Sequence, residues 1–194
     1  MSEDIKKAAP AKTKFKDTMA GPTVVLLIIC LVVSAALAYT YQLTAPVIEK
    51  INKETADAAR LEVLPEADSF TAADAELPEG VTEFYIADNG SGCVATAQNK
   101  SFGGTITVMV GFDAEGTITG VKVTQHADTP GLGTKAHTPE YLEQYIGLTE
   151  TDGVENIKKD SKVDQFTGAT VSSNGVYGAV NNAINAFAEL GGAQ

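Results

Sequence analysis

The chain has 194 residues, and its 25 Asp and Glu residues outnumber its 14 Lys and Arg residues, which gives a formal net charge of -11. This length allows one modest domain with accessory segments, and the acidic balance argues against nucleic acid as a partner, because phosphate backbones are bound by clustered Lys and Arg. Two cysteines, Cys30 and Cys93, and two histidines, His126 and His137, show no metal-ligand spacing, so neither a metal site nor a disulfide is expected.

An uncharged apolar run extends from Pro22 to Ile48. Because about 20 apolar residues are enough to cross a bilayer as a helix, the run predicts a transmembrane helix at residues 22–45. Five lysines precede the run, and two, Lys50 and Lys53, follow it closely, so residues 1–21 are predicted to be cytoplasmic and the chain after the span extracytoplasmic. The alternative is a cleaved signal peptide, because Ala36-Leu37-Ala38 is similar to a cleavage site. The length of the apolar run favours the membrane anchor.

The segment after the predicted span is expected to be a helix followed by a connection. Pro46 marks the predicted exit from the membrane, and apolar residues recur at helical spacing from Val47 to Leu64. The stretch Pro65–Gly80 is rich in Ala, Asp, Glu and Pro, which is typical of a surface connection. Residues 46–80 therefore form a juxtamembrane helix and connection, and residues 81–194 form the predicted domain.

The first half of this domain carries the signals of β-strands. Four short stretches rich in β-branched and aromatic residues are separated by turn-forming residues, and the last two form a predicted antiparallel hairpin around Asp113-Ala114-Glu115-Gly116. The four stretches are Thr82–Ala87, Cys93–Gln98, Thr105–Phe112 and Thr117–Gln125.

The second half of the domain carries helix signals. Thr138-Pro139-Glu140 is typical of a helix start, with an N-cap, a proline at the first position and an acid in the first turn. Apolar residues recur at amphipathic spacing from Ser173 to Leu190, and Gly191-Gly192 ends the predicted helix. Leading strands and later helices predict an α+β domain with a mostly antiparallel sheet.

Two loop segments contain residues suited to ligand binding. The stretch from Asp164 to Gly175 places small and hydroxyl residues before the last helix, where free N–H groups and the helix dipole favour an anion such as phosphate. The alternative is an ordinary capping loop in which Ser172, Ser173 or Asn174 caps the helix. The stretch from Asp128 to Lys135 could likewise be a simple Pro-Gly turn or a place where the backbone closely approaches a ligand.

The two segments also carry a resemblance to a known family. DQFTGAT, from Asp164 to Thr170, resembles the acceptor motif of FMN-binding domains that a flavin transferase modifies, and HADTPGLG, from His126 to Gly133, is similar to the second signature of these domains. That signature usually has Glu where this chain has Asp128. With its single predicted span, the whole chain resembles the G subunits of Rnf complexes, and the C subunits of sodium-pumping NADH:quinone oxidoreductases are the alternative.

The resemblance implies a cofactor, a role and a location. FMN would be attached covalently through a phosphoester to Thr170, by a transferase that takes FMN from FAD. The rest of the acceptor motif would be Asp164, Thr167, Gly168 and Ala169, and the flavin would be bordered by Thr129, Leu132, Gly133 and Lys135.

The chain would then act as a redox subunit of a ferredoxin:NAD oxidoreductase complex in the cell (inner) membrane. It would have no catalytic residue or metal ligand of its own, and its partners would be the lipid bilayer, the other subunits of the complex and the transferase. The remaining alternative is a membrane-anchored assembly module without a redox role.

Overall fold

The computed structural model describes residues 20–191, which divide into two units after Asn52. The predicted cytoplasmic segment 1–21 lies outside the described residues except for its last two positions. The predicted boundary between connection and domain, at residues 80 and 81, stays a prediction.

The first described element is a single helix of 44 residues, α1 (Ala20–Val63). It contains an 18-residue window with a mean hydropathy of 2.5, so it is long and apolar enough to cross a membrane. The predicted separation into a span and a second helix at Pro46 is not observed, because α1 continues through this proline. Proline removes one backbone hydrogen bond and crowds the preceding turn, yet a long helix can continue when the turns on both sides are well formed.

The domain is built on a five-stranded antiparallel sheet in which each strand pairs with the next one along the chain. One strand was missed from the sequence: β1 lies within the predicted connection 65–80 and pairs with the end of β2. The observed order confirms the predicted antiparallel sheet and the predicted hairpin of the last two strands. The strands are β1 (Phe70–Ala72), β2 (Val81–Ala87), β3 (Gly92–Lys100), β4 (Thr105–Asp113) and β5 (Ile118–Gln125).

Four short helical segments and one long helix complete the described part of the domain. The helix α2 (Pro139–Leu142) begins as predicted, with the Thr138 side chain accepting a hydrogen bond from the N–H of Tyr141. The helix α3 (Thr170–Leu190) packs across β3 and β4. Its buried face combines the larger residues Val176, Tyr177 and Val180 with three fully buried alanines, namely Ala179, Ala183 and Ala186.

The opposite face of the sheet is covered by the end of α1. Val63 and Leu64 are buried against Val94 and Met109, and the Thr119 hydroxyl donates a hydrogen bond of 2.6 Å to the Val63 carbonyl. A sheet covered on both faces buries successive positions of its central strands, and β4 is buried without interruption from Ile106 to Phe112.

Glycines and one arginine hold the end of α1 on the sheet. A Cβ on Gly111 would lie 2.3 Å from the Val63 carbonyl oxygen, so only glycine permits this close packing. The buried guanidinium of Arg60 pairs with Asp57 at 2.6 Å and with Glu83 at 3.2 Å, and its central carbon lies 3.6 Å from the centre of the Tyr85 ring. These contacts tie the last turns of α1 to β2.

Candidate functional site

The segment that carries the acceptor motif, Asp164 to Thr170 (the acceptor segment), leads directly into the N-terminus of α3. The helix begins at Thr170 and not at the predicted Ser173, and Ala169 in the N-cap position makes no side-chain hydrogen bond to any described residue. Ser172 and Ser173 are buried inside the first turn, so the alternative in which these serines cap the helix is wrong. Within residues 20–191, the N–H groups of Thr170, Val171 and Ser172 have no acceptor. An open helix N-terminus of this kind favours an anion.

Internal hydrogen bonds shape the acceptor segment. The N–H of Phe166 donates to the Ser173 hydroxyl at 3.0 Å, and the N–H of Ala169 donates to the Phe166 carbonyl at 3.0 Å. Gly168 has φ of +89°, a conformation that favours glycine, and no atom lies within 4 Å of the position that its Cβ would occupy. The turn therefore leaves Thr167 and Gly168 exposed to solvent.

The start of the acceptor segment is held by residues from the α2 region. The Tyr141 hydroxyl donates to the Asp164 carbonyl at 2.8 Å, and the N–H of Asp164 donates to Gln144 Oε1 at 2.7 Å. Both bonds use the backbone of Asp164. Its carboxylate is exposed and makes no hydrogen bond or ion pair within the described part of the chain, so it is available to an approaching molecule.

The Thr-Pro-Gly-Leu-Gly segment forms a tight turn. The N–H groups of Leu132 and Gly133 both point to the Thr129 carbonyl, at 3.2 and 3.1 Å. Gly131 has φ of +77°, which favours glycine, and its N–H donates to the Thr134 hydroxyl at 2.9 Å. A short 3₁₀ helix, Gly133–His137, follows directly.

The two motifs meet at Gly133. A Cβ on this glycine would lie 2.7 Å from Ser172 Oγ and 2.8 Å from Asp128 Cβ, so the absence of a side chain lets the turn pack against the start of α3. Nearby, Lys135 Nζ lies 5.8 Å from the centre of the Phe166 ring, a weak cation–π contact between the two motifs.

The predicted site residues are buried to different extents in the region where the two motifs meet, which is called the junction below. Gly133 and Ala169 are buried, Thr170 is half-buried, and the other predicted residues are exposed, namely Thr129, Leu132, Lys135, Asp164, Thr167 and Gly168. Among the described residues, the Thr170 hydroxyl has no hydrogen-bond partner, and it is not sealed from solvent. Thr170 therefore presents an unpaired hydroxyl at a partly exposed position.

Asp128 is a buried carboxylate at the centre of the junction. Its Oδ2 accepts a hydrogen bond of 2.6 Å from the Ser101 hydroxyl, and its Oδ1 accepts one of 2.6 Å from the N–H of Gly103. Burial by itself would raise the pKa of Asp128, but the hydrogen bonds from Ser101, Gly103 and Ser172 outweigh burial and hold this pKa below its ordinary value. The charged carboxylate therefore connects the β3–β4 turn with the start of α3.

His137 lies beside this carboxylate. Its Nε2 is 3.1 Å from Asp128 Oδ2, although the geometry does not make a hydrogen bond, and its ring centre is 4.6 Å from that of His126. Burial and the neighbouring His126 lower the pKa of His137, and Asp128 opposes this effect only in part. His137 is therefore neutral near pH 7.

The sequence did not predict the role of the β3–β4 turn. Phe102 is 69% exposed, and it lies between Ser101 and Gly103, the two residues that donate hydrogen bonds to Asp128. Leu132 and Val171 are each 52% exposed and adjoin Gly133 and Ser172, so three exposed apolar side chains lie on segments that meet at one corner. A large apolar residue in a short turn between two strands was the only signal for Phe102 in the sequence.

Residues 101–185 match the family model described as "FMN-binding domain". The match begins at the β3–β4 turn and includes both motifs and most of α3. The fold and the site therefore define an FMN-binding domain that follows a helix capable of crossing a membrane.

Relatives with similar sequences extend over nearly the whole chain. The G subunit of the Na(+)-translocating ferredoxin:NAD(+) oxidoreductase complex of Acetobacterium woodii is 32% identical over 187 residues, covering 86% of this chain and 90% of the relative. The G subunit of the ion-translocating oxidoreductase complex of Methanosarcina acetivorans is 32% identical over 171 residues, covering 84% and 90%. The G subunit of the proton-translocating ferredoxin:NAD(+) oxidoreductase complex of Clostridium ljungdahlii is 26% identical over 180 residues, covering 90% and 94%.

The chain belongs to the family of G subunits of ion-translocating (Rnf) oxidoreductase complexes. The resemblance drawn from the two sequence motifs is thereby confirmed.

Proposed function

We propose that this protein is an electron-transfer subunit of a membrane-bound, ion-translocating ferredoxin:NAD oxidoreductase complex, and that it carries FMN through a phosphoester to Thr170. The observation that carries the proposal is the open N-terminus of α3, which starts at Thr170 and presents three N–H groups without an acceptor among the described residues. A phosphate esterified to the Thr170 hydroxyl would lie beside these donors and the positive end of the helix dipole.

The attachment is a phosphoryl transfer to a hydroxyl that the fold leaves reachable. The Thr170 oxygen forms a bond to the FMN phosphorus of FAD, the diphosphate bond of FAD breaks, AMP leaves, and the hydroxyl proton is released. The exposed turn of Thr167 and Gly168 and the exposed Asp164 carboxylate would provide the surface that the transferase recognises. Thr170 is then an acceptor residue and not a catalytic residue of this chain.

The flavin would lie against the Thr-Pro-Gly-Leu-Gly turn. Thr129 and Leu132 are exposed there, Gly133 permits the close packing of this turn on α3, and Lys135 supplies a positive charge beside the acceptor segment. FMN supplies the redox chemistry when bound, and the chain supplies position, electrostatics and a tether. A covalent tether prevents loss of the cofactor on the outer side of the membrane.

The apolar run of α1 indicates which task this subunit performs in the complex. The run from Pro22 to Ile48 has no charged residue, and one helix without ionisable groups gives an ion no pathway across a membrane. Because the run itself has no charged residue, ion translocation would belong to other subunits. This subunit would pass electrons between neighbouring redox centres without turnover of its own. The lysine asymmetry around the run supports an extracytoplasmic FMN domain.

The attachment can be tested by mass. The full chain, produced together with a flavin transferase, should gain the mass of one FMN less one water, and the flavin should map to the peptide that contains Thr170. The Thr170→Val variant should lose all covalent flavin while its thermal unfolding changes little, because the substitution keeps the size of a half-buried side chain. The Thr167→Val variant changes the exposed threonine of the recognition surface, so it should lower the yield of modification while the flavin that is attached stays on Thr170. Flavin found on Thr167, or retained in Thr170→Val, would contradict the proposal.

A further inference from the structure

A buried imidazole without hydrogen bonds lies behind the proposed flavin site. The His137 side chain is 6% exposed, and neither ring nitrogen has a hydrogen-bond partner among residues 20–191. Buried polar groups are normally satisfied, and each exception calls for an explanation. The side chain next to it is the fully buried carboxylate of Asp128, at 3.1 Å, which has already accepted hydrogen bonds from Ser101 and Gly103.

Asp128 and His137 lie behind the residues that adjoin the proposed attachment point, Thr170. Asp128 Cβ and Ser172 Oγ both lie within 2.8 Å of the position that a Cβ on Gly133 would occupy, and Ser172 is two residues after Thr170. His137 ends the 3₁₀ helix that begins at this same Gly133. A charge on a flavin held against the Thr-Pro-Gly-Leu-Gly turn would therefore act on His137 through buried protein, where screening is weak.

We propose that His137 is a proton-binding site that is linked to the redox state of the flavin. The inference rests on the proposed function, because it requires a flavin at Thr170. As the flavin accepts electrons from a neighbouring redox subunit, the free nitrogen of the neutral His137 ring binds one proton from solvent. The imidazolium then pairs with Asp128, and the only bond formed is the new N–H bond.

The linkage has a defined direction. Two titratable side chains lie beside His137. The Asp128 carboxylate favours the imidazolium form of His137, and the His126 ring disfavours it. Burial also disfavours the imidazolium, so the oxidised protein holds His137 neutral near pH 7. Negative charge gained by the flavin adds to that of Asp128 and raises the affinity of His137 for a proton. Because coupling between two sites is reciprocal, protonation of His137 must make the flavin easier to reduce by the same factor.

The chain is well suited to a direct test, because it contains two histidines. The full-length protein with FMN attached would be labelled with ¹⁵N-histidine, and its two sets of NMR signals would be assigned with the His126→Gln variant. Both sets would be followed from about pH 5 to about pH 9, once in the oxidised protein and once after anaerobic reduction with dithionite. We expect reduction to increase the proton affinity of His137 on the order of tenfold. The flavin-free Thr170→Val variant should show no change with dithionite.

A second measurement uses the flavin itself. The midpoint potential of the bound flavin should rise as the pH falls through the titration of His137, and the His137→Gln variant should lose this part of the pH dependence. His126→Gln is the matched control and should retain it. Identical titration of His137 in both redox states, in protein whose mass shows one FMN on Thr170, would overturn the inference and leave the proposed function intact. Failure of FMN to attach at Thr170 would instead overturn the proposed function, and the mass spectrum separates the two outcomes.

Discussion

At the residue scale, two side chains make the stability of the domain depend on pH. The pKa of His137 is lowered from its ordinary value of 6.5 in the folded protein, mainly by burial. Since the unfolded chain then binds more protons, this stability is complete above pH 6.5 and is lost as the pH falls from 6.5 toward the lowered pKa. The pKa of Asp128 is lowered from 3.8, so its contribution is complete above pH 3.8 and is lost only in stronger acid.

We therefore predict that acid weakens the fold in two separate windows. Thermal unfolding of the detergent-solubilised chain, followed by circular dichroism, should show the melting temperature falling as the pH drops below 6.5, the ordinary pKa of histidine. The His137→Gln variant should flatten this first fall, because glutamine does not titrate. His126→Gln should keep most of it, since the burial of His137 is unchanged. A pH profile of His137→Gln that matches the wild type would contradict this assignment.

At the scale of elements, α3 depends on small side chains where it crosses the sheet. Ala183 is fully buried between this helix and the strands, whereas Ala188 is exposed on the same helix. The small buried residues let α3 pack closely on β3 and β4, and the start of the helix then lies against Gly133. The position of the Thr170 end is therefore set by packing along the whole helix.

We predict that Ala183→Leu destabilises the domain by about 1–3 kcal/mol, because a tightly packed interface has no room for three more carbon atoms. Ala188→Leu introduces the same side chain into the same helix at an exposed position and should change stability by less than about 0.5 kcal/mol. Thermal unfolding followed by circular dichroism measures both. Equal effects of the two substitutions would show that helix propensity, and not packing, decides the result.

At the scale of the whole molecule, the uncharged run and its flanking lysines predict which side of the membrane carries the FMN domain. We expect protease added to right-side-out vesicles to digest a tag at the C-terminus and to spare a tag at the N-terminus. Inside-out vesicles are the control and should give the reverse pattern. Replacing the five lysines of the N-terminal segment with glutamine should weaken the preferred orientation. Digestion of the N-terminal tag alone in right-side-out vesicles would reverse the proposed topology.

Local signals in the sequence were sufficient for much of this protein. The long apolar helix, the antiparallel strands and the Thr138 cap of α2 follow from hydropathy, residue spacing and turn chemistry, which act over a few neighbouring residues. The two motifs likewise identified the family before any fold was known. Local signals were less reliable at the limits of elements: α1 continues through Pro46, β1 lies in a stretch that resembles a connection, and α3 starts at Thr170.

Only the tertiary structure decided what surrounds the site. Asp128 and His137 are nine residues apart, and two of the hydrogen-bond donors to Asp128 lie on a turn more than twenty residues earlier, so no local pattern could bring these groups together. The burial of Asp128 and His137 depends on how the β3–β4 turn, the Thr-Pro-Gly-Leu-Gly turn and α3 pack against one another. Burial and neighbouring charge determine whether a carboxylate or an imidazole is ionised, and both are properties of the folded chain.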